Sequence, residues 1–276
     1  MKPKSILITG CSSGIGLSAA DILRKRGYRV FATARKKEDV AMLKERGHEA
    51  LRLNVDDAAS IQKAVSEVLR RTHGKLDALF NNAGFGVSGA LEDMPRDALR
   101  AQFETNLFGP IELTNLIIPA MRKQGYGRII WDSSVLGFVV FPYSGPYCAS
   151  KHAMEAIADA YRMELRGTGI HTSVIEPGPI LTRFRENAYK AFTRWVDREK
   201  SLHKNAYDKM IARLRKDGPA MPFTLPPEAV VKTLMHALKA PKPKARYYVT
   251  FPTYLFALLK RILPAKALDK ILVGVR

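Results

Sequence analysis

Cysteine is nearly absent from this 276-residue chain, occurring only as Cys11 and Cys148. Two cysteines cannot build a disulfide framework, and their spacing matches no metal site, so a stapled secreted module is excluded, no metal is expected and a reducing compartment is the default. Long apolar runs are also missing. The longest uncharged stretch of the tail, Tyr247 to Leu259, contains Pro252 and falls short of the roughly 20 helical residues that cross a bilayer. Near the N-terminus the apolar run is Ile6 to Ile8; it enters a glycine turn with no cleavage-like site, so no secretory leader is expected. Acidic side chains are scarce, 26 against 45 Lys and Arg, for a formal charge of +19. Most of the excess lies in residues 177–276, with 21 basic and 7 acidic side chains. No recognition helix, zinc motif or RNA-binding motif accompanies it, which argues against nucleic acid as a partner. A solvated basic surface, or attraction to an anionic membrane or acidic partner, are the readings left.

What the chain does have is alternation. Short apolar runs of strand length stand at 5–9, 28–34, 49–55, 76–82, 127–134, 170–176 and 245–250. Helical periodicity fills the intervals; in "IGLSAADILRKRG" the apolar positions Ile15, Ala19, Ile22 and Leu23 precede a basic last turn and Gly27. The pattern predicts an α/β fold: a Rossmann-like, doubly wound parallel sheet of seven strands with helices on both faces. A single domain is expected, its cofactor-binding and catalytic core over about 4–182. A long lid insertion follows the sixth strand over 183–226, the core is completed over 227–250, and a basic amphipathic extension covers 251–276.

Ligands of such sheets sit at the carboxyl ends of the strands, and three features fall there. "TGCSSGIG", Thr9 to Gly16, follows the first strand, where Gly10, Gly14 and Gly16 allow a tight turn, a close approach and a helix start that attracts phosphate. Arg35 follows the second strand, where a guanidinium pairs with a 2′-phosphate and points to NADP rather than NAD. Tyr147 and Lys151, four apart, share one helix face, so the ammonium is expected to lower the phenol pKa toward neutral. A phenol so tuned is suited to exchanging a proton with a carbonyl oxygen that receives hydride. Ser134, ending the fifth strand, would polarise that oxygen.

Taken in order, Thr9-Gly10-x-x-x-Gly14-x-Gly16, "NNAG" at 81–84, Asn106, Ser134, Tyr147-x-x-x-Lys151 and Pro177-Gly178 resemble the short-chain dehydrogenase/reductase family over about residues 4–250. "SVLGFVVFPYSGPYCASK" and "EPGPILTRF" look most like the branch of retinol and 17β-hydroxysteroid dehydrogenases. The tail is similar to that of bacterial NADP-dependent aldehyde reductases. The resemblance implies a catalytic set of Asn106, Ser134, Tyr147 and Lys151. It also implies an NADP(H) site of Thr9, Gly10, Ser12, Ser13, Gly14, Ile15, Gly16, Arg35, Asn54, Val55, Asn82, Ala83, Gly84, Tyr147, Lys151, Pro177, Gly178 and Thr182. In that scheme Lys151 also holds the nicotinamide ribose and Asn106 interrupts a long helix to anchor a water chain.

Two positions depart from the family. Asn54 stands where an aspartate is usual, and its amide oxygen can still accept from the adenine amino group. Asp132 stands where a small or apolar residue is usual, on the strand face of Ser134; its role is left open between the site and a strand-end ion pair. Phe184, Tyr189, Phe192, Trp195 and Met210 give the lid an aromatic character that favours an apolar aldehyde, ketone or alcohol as substrate. Oxidation of a hydroxysteroid or retinoid, and a non-catalytic cofactor sensor or scaffold, are the alternatives. The resemblance implies a homodimer or homotetramer. A cytoplasmic location is expected. The tail docks on the domain in the first reading and lies on the inner face of a membrane in the second.

Overall fold

Seven strands lie side by side in a computed structural model that describes residues 4–274; Arg276, counted with the basic tail, lies outside them. In chain order the elements are β1 (Ser5–Ile8), α1 (Gly14–Lys25), β2 (Arg29–Ala34), α2 (Lys37–Glu45), β3 (Glu49–Arg52), α3 (Ala58–Arg71) and β4 (Ala78–Asn81). Then come α4 (Arg96–Phe103), a π turn (Glu104–Phe108), α5 (Gly109–Gln124), β5 (Gly127–Asp132), α6 (Gly145–Glu164) and β6 (Ile170–Pro177). After them stand α7 (Phe184–Trp195), α8 (Lys204–Arg215), α9 (Glu228–Lys239), β7 (Arg246–Val249), α10 (Phe251–Ile262) and α11 (Ala265–Gly274). Every strand pair is parallel, in the order β3-β2-β1-β4-β5-β6-β7. The order reverses between β1 and β4, which opens a crevice at their carboxyl ends.

Period-two alternation divides the strands between two cores. Ile6, Ile8, Phe80, Ile130 and Ile175 pack with α1, α2 and α9, while Leu7, Phe31, Leu79, Ile129, Trp131 and Val174 pack with α3, α5 and α6. Six of the strands are shorter than their apolar runs, β3, β4 and β5 by two residues or more at one end. The β2–β3 ladder ends at Ala34 and Arg52, and the β5–β6 ladder at Asp132 and Ile175. Asn54, Val55 and Ser134 therefore stand in loops beyond the sheet rather than in strands. At the other end of β4, the Gln124 side chain bonds both the N–H (3.2 Å) and the carbonyl (2.8 Å) of Leu76, so that residue precedes the strand.

Candidate active site

The glycine turn is built by main-chain proximity. Thr9 Oγ1 accepts from the N–H groups of Asn82 (2.9 Å) and Ala83 (2.8 Å), and Asn82 Nδ2 donates back to the carbonyls of Thr9 (2.6 Å) and Gly10 (3.2 Å). A Cβ on Gly16 would stand 2.3 Å from the Gly10 carbonyl oxygen and 2.6 Å from Asn82 Nδ2, so only glycine permits this approach. Gly14 has φ of +58°, the left-handed conformation. Ser12 completes the turn, and Ser13 occupies the N-cap of α1 without a side-chain cap, leaving the first amides, those of Gly14, Ile15 and Gly16, for an anion.

Arg35, Asn54 and Val55 lie at the ends of β2 and β3, away from the catalytic groups. The Arg35 side chain is 66% exposed, with Nη1 3.8 Å from Asp56 Oδ2, the outer limit of an ion pair. Asn54 Oδ1 is a buried acceptor without a partner among the described residues, and Val55 is buried beside it. A cradle that a Cβ would fill, uncapped helix amides and an orphaned acceptor together fit a bound dinucleotide.

The four catalytic candidates converge between β4, β5 and α6. Asn106, fully buried in the π turn that separates α4 from α5, accepts from the Phe85 N–H (3.1 Å) and donates to the Phe85 carbonyl and Ser150 Oγ (both 3.0 Å). It thereby joins the segment after Gly84 to α6. Ser134 caps a single turn over 135–137 by accepting from the Leu136 N–H at 3.1 Å, and it hydrogen-bonds the Tyr147 phenol. Lys151 is buried, donates from Nζ to the Asp132 carbonyl at 2.6 Å, and lies 5.8 Å from the centre of the Tyr147 ring.

The phenol does not behave as the spacing predicts. Burial pushes the Tyr147 pKa well up, the Ser134 hydrogen bond opposes this, and the charge of Asp132 adds to the rise. The Lys151 ammonium does not offset this rise, and its short hydrogen bond goes to the Asp132 carbonyl. Burial in turn lowers the Lys151 pKa to about 8, with Asp132 opposing. Asp132 belongs to the site: it is buried, lines the same cavity as Ser134 as strand alternation predicts, and keeps Oδ1 without a partner among the described residues. Burial lifts its carboxyl to about 7 against the pull of Lys151.

A cavity of about 280 Å³ holds these groups, and Asn82, Gly84, Pro177, Gly178 and Thr182 share its wall. Ala83 sits between two of them, bonded to Thr9. Thr182 comes within 3.1 Å of where a Cβ on Gly14 would stand, so the start of the lid touches the phosphate turn. Of the lid aromatics, Phe184 lines the cavity and packs on Tyr147 with ring centres 5.2 Å apart. Phe192 and Met210 are buried in a core with Val87, Ala90, Met94 and Tyr207, and Tyr189 and Trp195 pack against it. The aromatic character expected of the pocket thus serves mostly the lid's own packing. From the tail, Pro252 and Phe256 line the cavity, and Phe256 and Leu272 are buried against Val135, Val139 and Phe141.

Residues 4–192 match the family model described as short chain dehydrogenase. The chain belongs to the short-chain dehydrogenase family. It is 44% identical over 271 residues, 98% of this chain and 94% of the other, to the uncharacterized oxidoreductase YbbO of Escherichia coli. It is 34% identical to the NADPH-dependent 3-dehydrocapnine reductase of Ornithobacterium rhinotracheale, covering 96% of this chain and 94% of that one. With human 17-beta-hydroxysteroid dehydrogenase type 1 it shares 33% identity over 89% of this chain and 77% of that one. This dehydrogenase therefore falls in the hydroxysteroid dehydrogenase-like branch and is an oxidoreductase.

Three parts of the dehydrogenase site have no clear mark in the sequence pattern. Arg52 places a second exposed cation beside Arg35, donating from Nε to the Arg35 carbonyl at 3.2 Å; an unpaired cation at the end of a strand is the one available signal. Ser150 links Asn106 to α6, and Phe85 donates its N–H to Asn106 and accepts from it at its carbonyl; neither residue has a local signature.

Proposed function

We propose that this short-chain dehydrogenase is an NADPH-dependent carbonyl reductase that converts apolar aldehydes or ketones to alcohols. The observation carrying this reading is the convergence of Ser134, Lys151 and the protonated phenol of Tyr147 on the wall of one largely apolar cavity. A protonated phenol donates a proton, as reduction requires, whereas alcohol oxidation needs it as a base. NADPH, when bound, supplies the hydride. Ser134 holds the carbonyl oxygen and Tyr147 gives that oxygen its proton, so hydride and proton together convert C=O to CH–OH. Lys151 holds the ribose. Asn106 keeps Phe85 and Ser150 in register and, as the family resemblance implies, anchors the water that returns the proton.

Arg35 and Arg52 support the choice of NADPH, since Arg35 has one distant carboxylate and a free guanidinium edge to offer a 2′-phosphate. The relative named as an NADPH-dependent reductase agrees with it. The likeness to a 17-beta-hydroxysteroid dehydrogenase favours a second reading, oxidation of a hydroxysteroid. A non-catalytic sensor would keep the cradle without needing the Tyr147–Ser134 pair. The reading places one domain in the cytoplasm, as a homodimer or homotetramer joined through α5 and α6, where Met163 is exposed. Among the described residues no helix is long and apolar enough to cross a membrane. Contact of α10 and α11 with an anionic membrane surface is the lesser proposal, resting on exposed Phe251, Tyr254, Leu258 and Ile262 beside Lys260 and Arg261.

The test is oxidation of NADPH, followed by absorbance, with aldehydes and ketones of graded apolar size. Turnover that rises with apolar size and drops severely with NADH is expected. NADPH binding without turnover of any carbonyl, with oxidation of hydroxysteroids instead, would replace this reading with the second.

A further inference from the structure

Two arginines of the lid line a cavity whose wall is otherwise largely apolar, including Phe141, Leu181, Leu214 and Met221. Arg185, on α7, is structural, because its guanidinium donates to the carbonyls of Arg213 (2.9 Å), Lys216 (2.7 Å) and Gly218 and closes the C-terminal end of α8. Arg213, on α8, closes nothing. It is half-buried, and no hydrogen bond or ion pair of its guanidinium occurs among the described residues. Burial, and then the charge of Arg185, push its pKa below the usual arginine value. A cation drawn out of water beside a second cation, with no anion to meet it, is unfavourable until a ligand supplies one.

We propose that Arg213 is the seat for an anionic group on the substrate, so that the carbonyl compound carries an apolar stretch ending in a carboxylate, sulfonate or phosphate. This rests on the carbonyl-reductase reading above. The carbonyl lies with Ser134 and Tyr147, the apolar stretch passes Phe184 and Leu214, and the anion pairs with Arg213 through charge-assisted hydrogen bonds. Arg185 adds positive potential without leaving the α8 carbonyls. A planar guanidinium suits all three anions, and neutral alkyl carbonyls would leave it unpaired.

The first measurement uses the protein without cofactor: calorimetric binding of decanoate and decyl sulfonate, below their micelle concentrations, against decanol. The expected result is at least tenfold tighter, salt-sensitive binding of the two anions, lost in Arg213→Met and largely kept in Arg213→Lys. The second compares kcat/KM for a medium-chain aldehyde and for its analogue ending in carboxylate. Wild type should prefer the carboxylate by tenfold or more, and Arg213→Met should abolish that ratio. Anions that bind no better than decanol to the wild-type protein would overturn the proposal even if the Met variant failed to fold. So would an Arg213→Met variant that weakens NADPH and leaves the substrate ratio intact, because the arginine would then serve the dinucleotide. Absence of turnover with both aldehydes, alongside salt-sensitive decanoate binding, would count against the reductase reading and leave the anion seat standing.

Discussion

The stretch from β1 to the end of β6 and the lid and tail beyond it place their functional groups by different means. In the first, groups are held directly against main chain: Gly16 lies against Gly10, the Thr9 hydroxyl holds the N–H groups of Asn82 and Ala83, and the Lys151 ammonium bonds the carbonyl of Asp132. Little can move there without a backbone clash. In the second, amphipathic helices pack through side chains: Phe192 and Met210 against Val87 and Met94, Phe256 against Phe141, with Asp93 tied to Tyr207 and Ser201. The chemistry is thus anchored where backbone geometry dictates it. On the proposed reading, substrate selection belongs to a layer whose contacts can be exchanged one side chain at a time, and that layer carries most of the net positive charge.

The largest effect should come from removing one atom in the first region. Tyr147→Phe is expected to cut turnover by about 10³ to 10⁴ while NADPH still binds, because the proton donor is lost with little volume change. Fluorescence titration of NADPH beside the rate measurement checks it, and turnover within tenfold of wild type would remove the phenol from the chemistry. Ending the chain before Phe251 acts on the second region instead. It removes the buried Phe256 and Leu272 and should cost about 3–5 kcal/mol of stability. It should also raise the KM of large apolar carbonyls. An unaltered denaturation midpoint, together with loss of salt-sensitive binding to anionic vesicles, would turn the tail into a membrane contact.

Arg35→Asp tests whether the exposed end of the cradle discriminates as sharply as its buried end positions. It should weaken NADPH by about 2–4 kcal/mol and NADH far less, by loss of a charge-assisted contact and gain of repulsion. Equal losses for the two dinucleotides would mean that Arg35 does not read the phosphate. The smallest effect is expected of Asp132→Asn. A carboxyl raised to about 7 in the folded protein holds its proton where the unfolded chain, near 4, has released it. Asp132 therefore favours folding below pH 4, and that contribution is lost as pH rises toward 7. The variant should flatten the fall in stability between pH 5 and 7 by about 1–2 kcal/mol, as measured by urea denaturation. It should also lower the pH at which the Tyr147 phenol ionises. Identical stability slopes in the two proteins would show that Asp132 is already ionised at pH 5.

Residues whose role follows from local backbone demands are legible in the sequence. Gly10, Gly14 and Gly16 stand out because the turn tolerates little else, and α1, α6 and α9 because their apolar spacing matches a helix. The ends of β3 and β5 do not, since a ladder stops where its neighbour stops and apolar runs continue past that point. Phe184 cannot be told from Phe192 or Trp195, because helical spacing places all three on a lid without saying which side meets the cavity.

By itself, the order of residues determined the alternating α/β plan and the glycine turn after β1, because each depends on contacts within a few residues or on backbone conformations few residues can adopt; the four proposed catalytic side chains are named by the family resemblance. The protonation of those side chains was decided by tertiary structure. Tyr147 and Lys151 are one helical turn apart in any α6, yet the phenol is raised rather than lowered because α6 packs against the end of β5, where burial strips both groups of water and the Asp132 carbonyl takes the lysine's hydrogen bond. Likewise, Arg185 and Arg213, without distinction in the sequence, divide into a guanidinium that closes the end of α8 and one without a partner among the described residues only once α7 packs on α8.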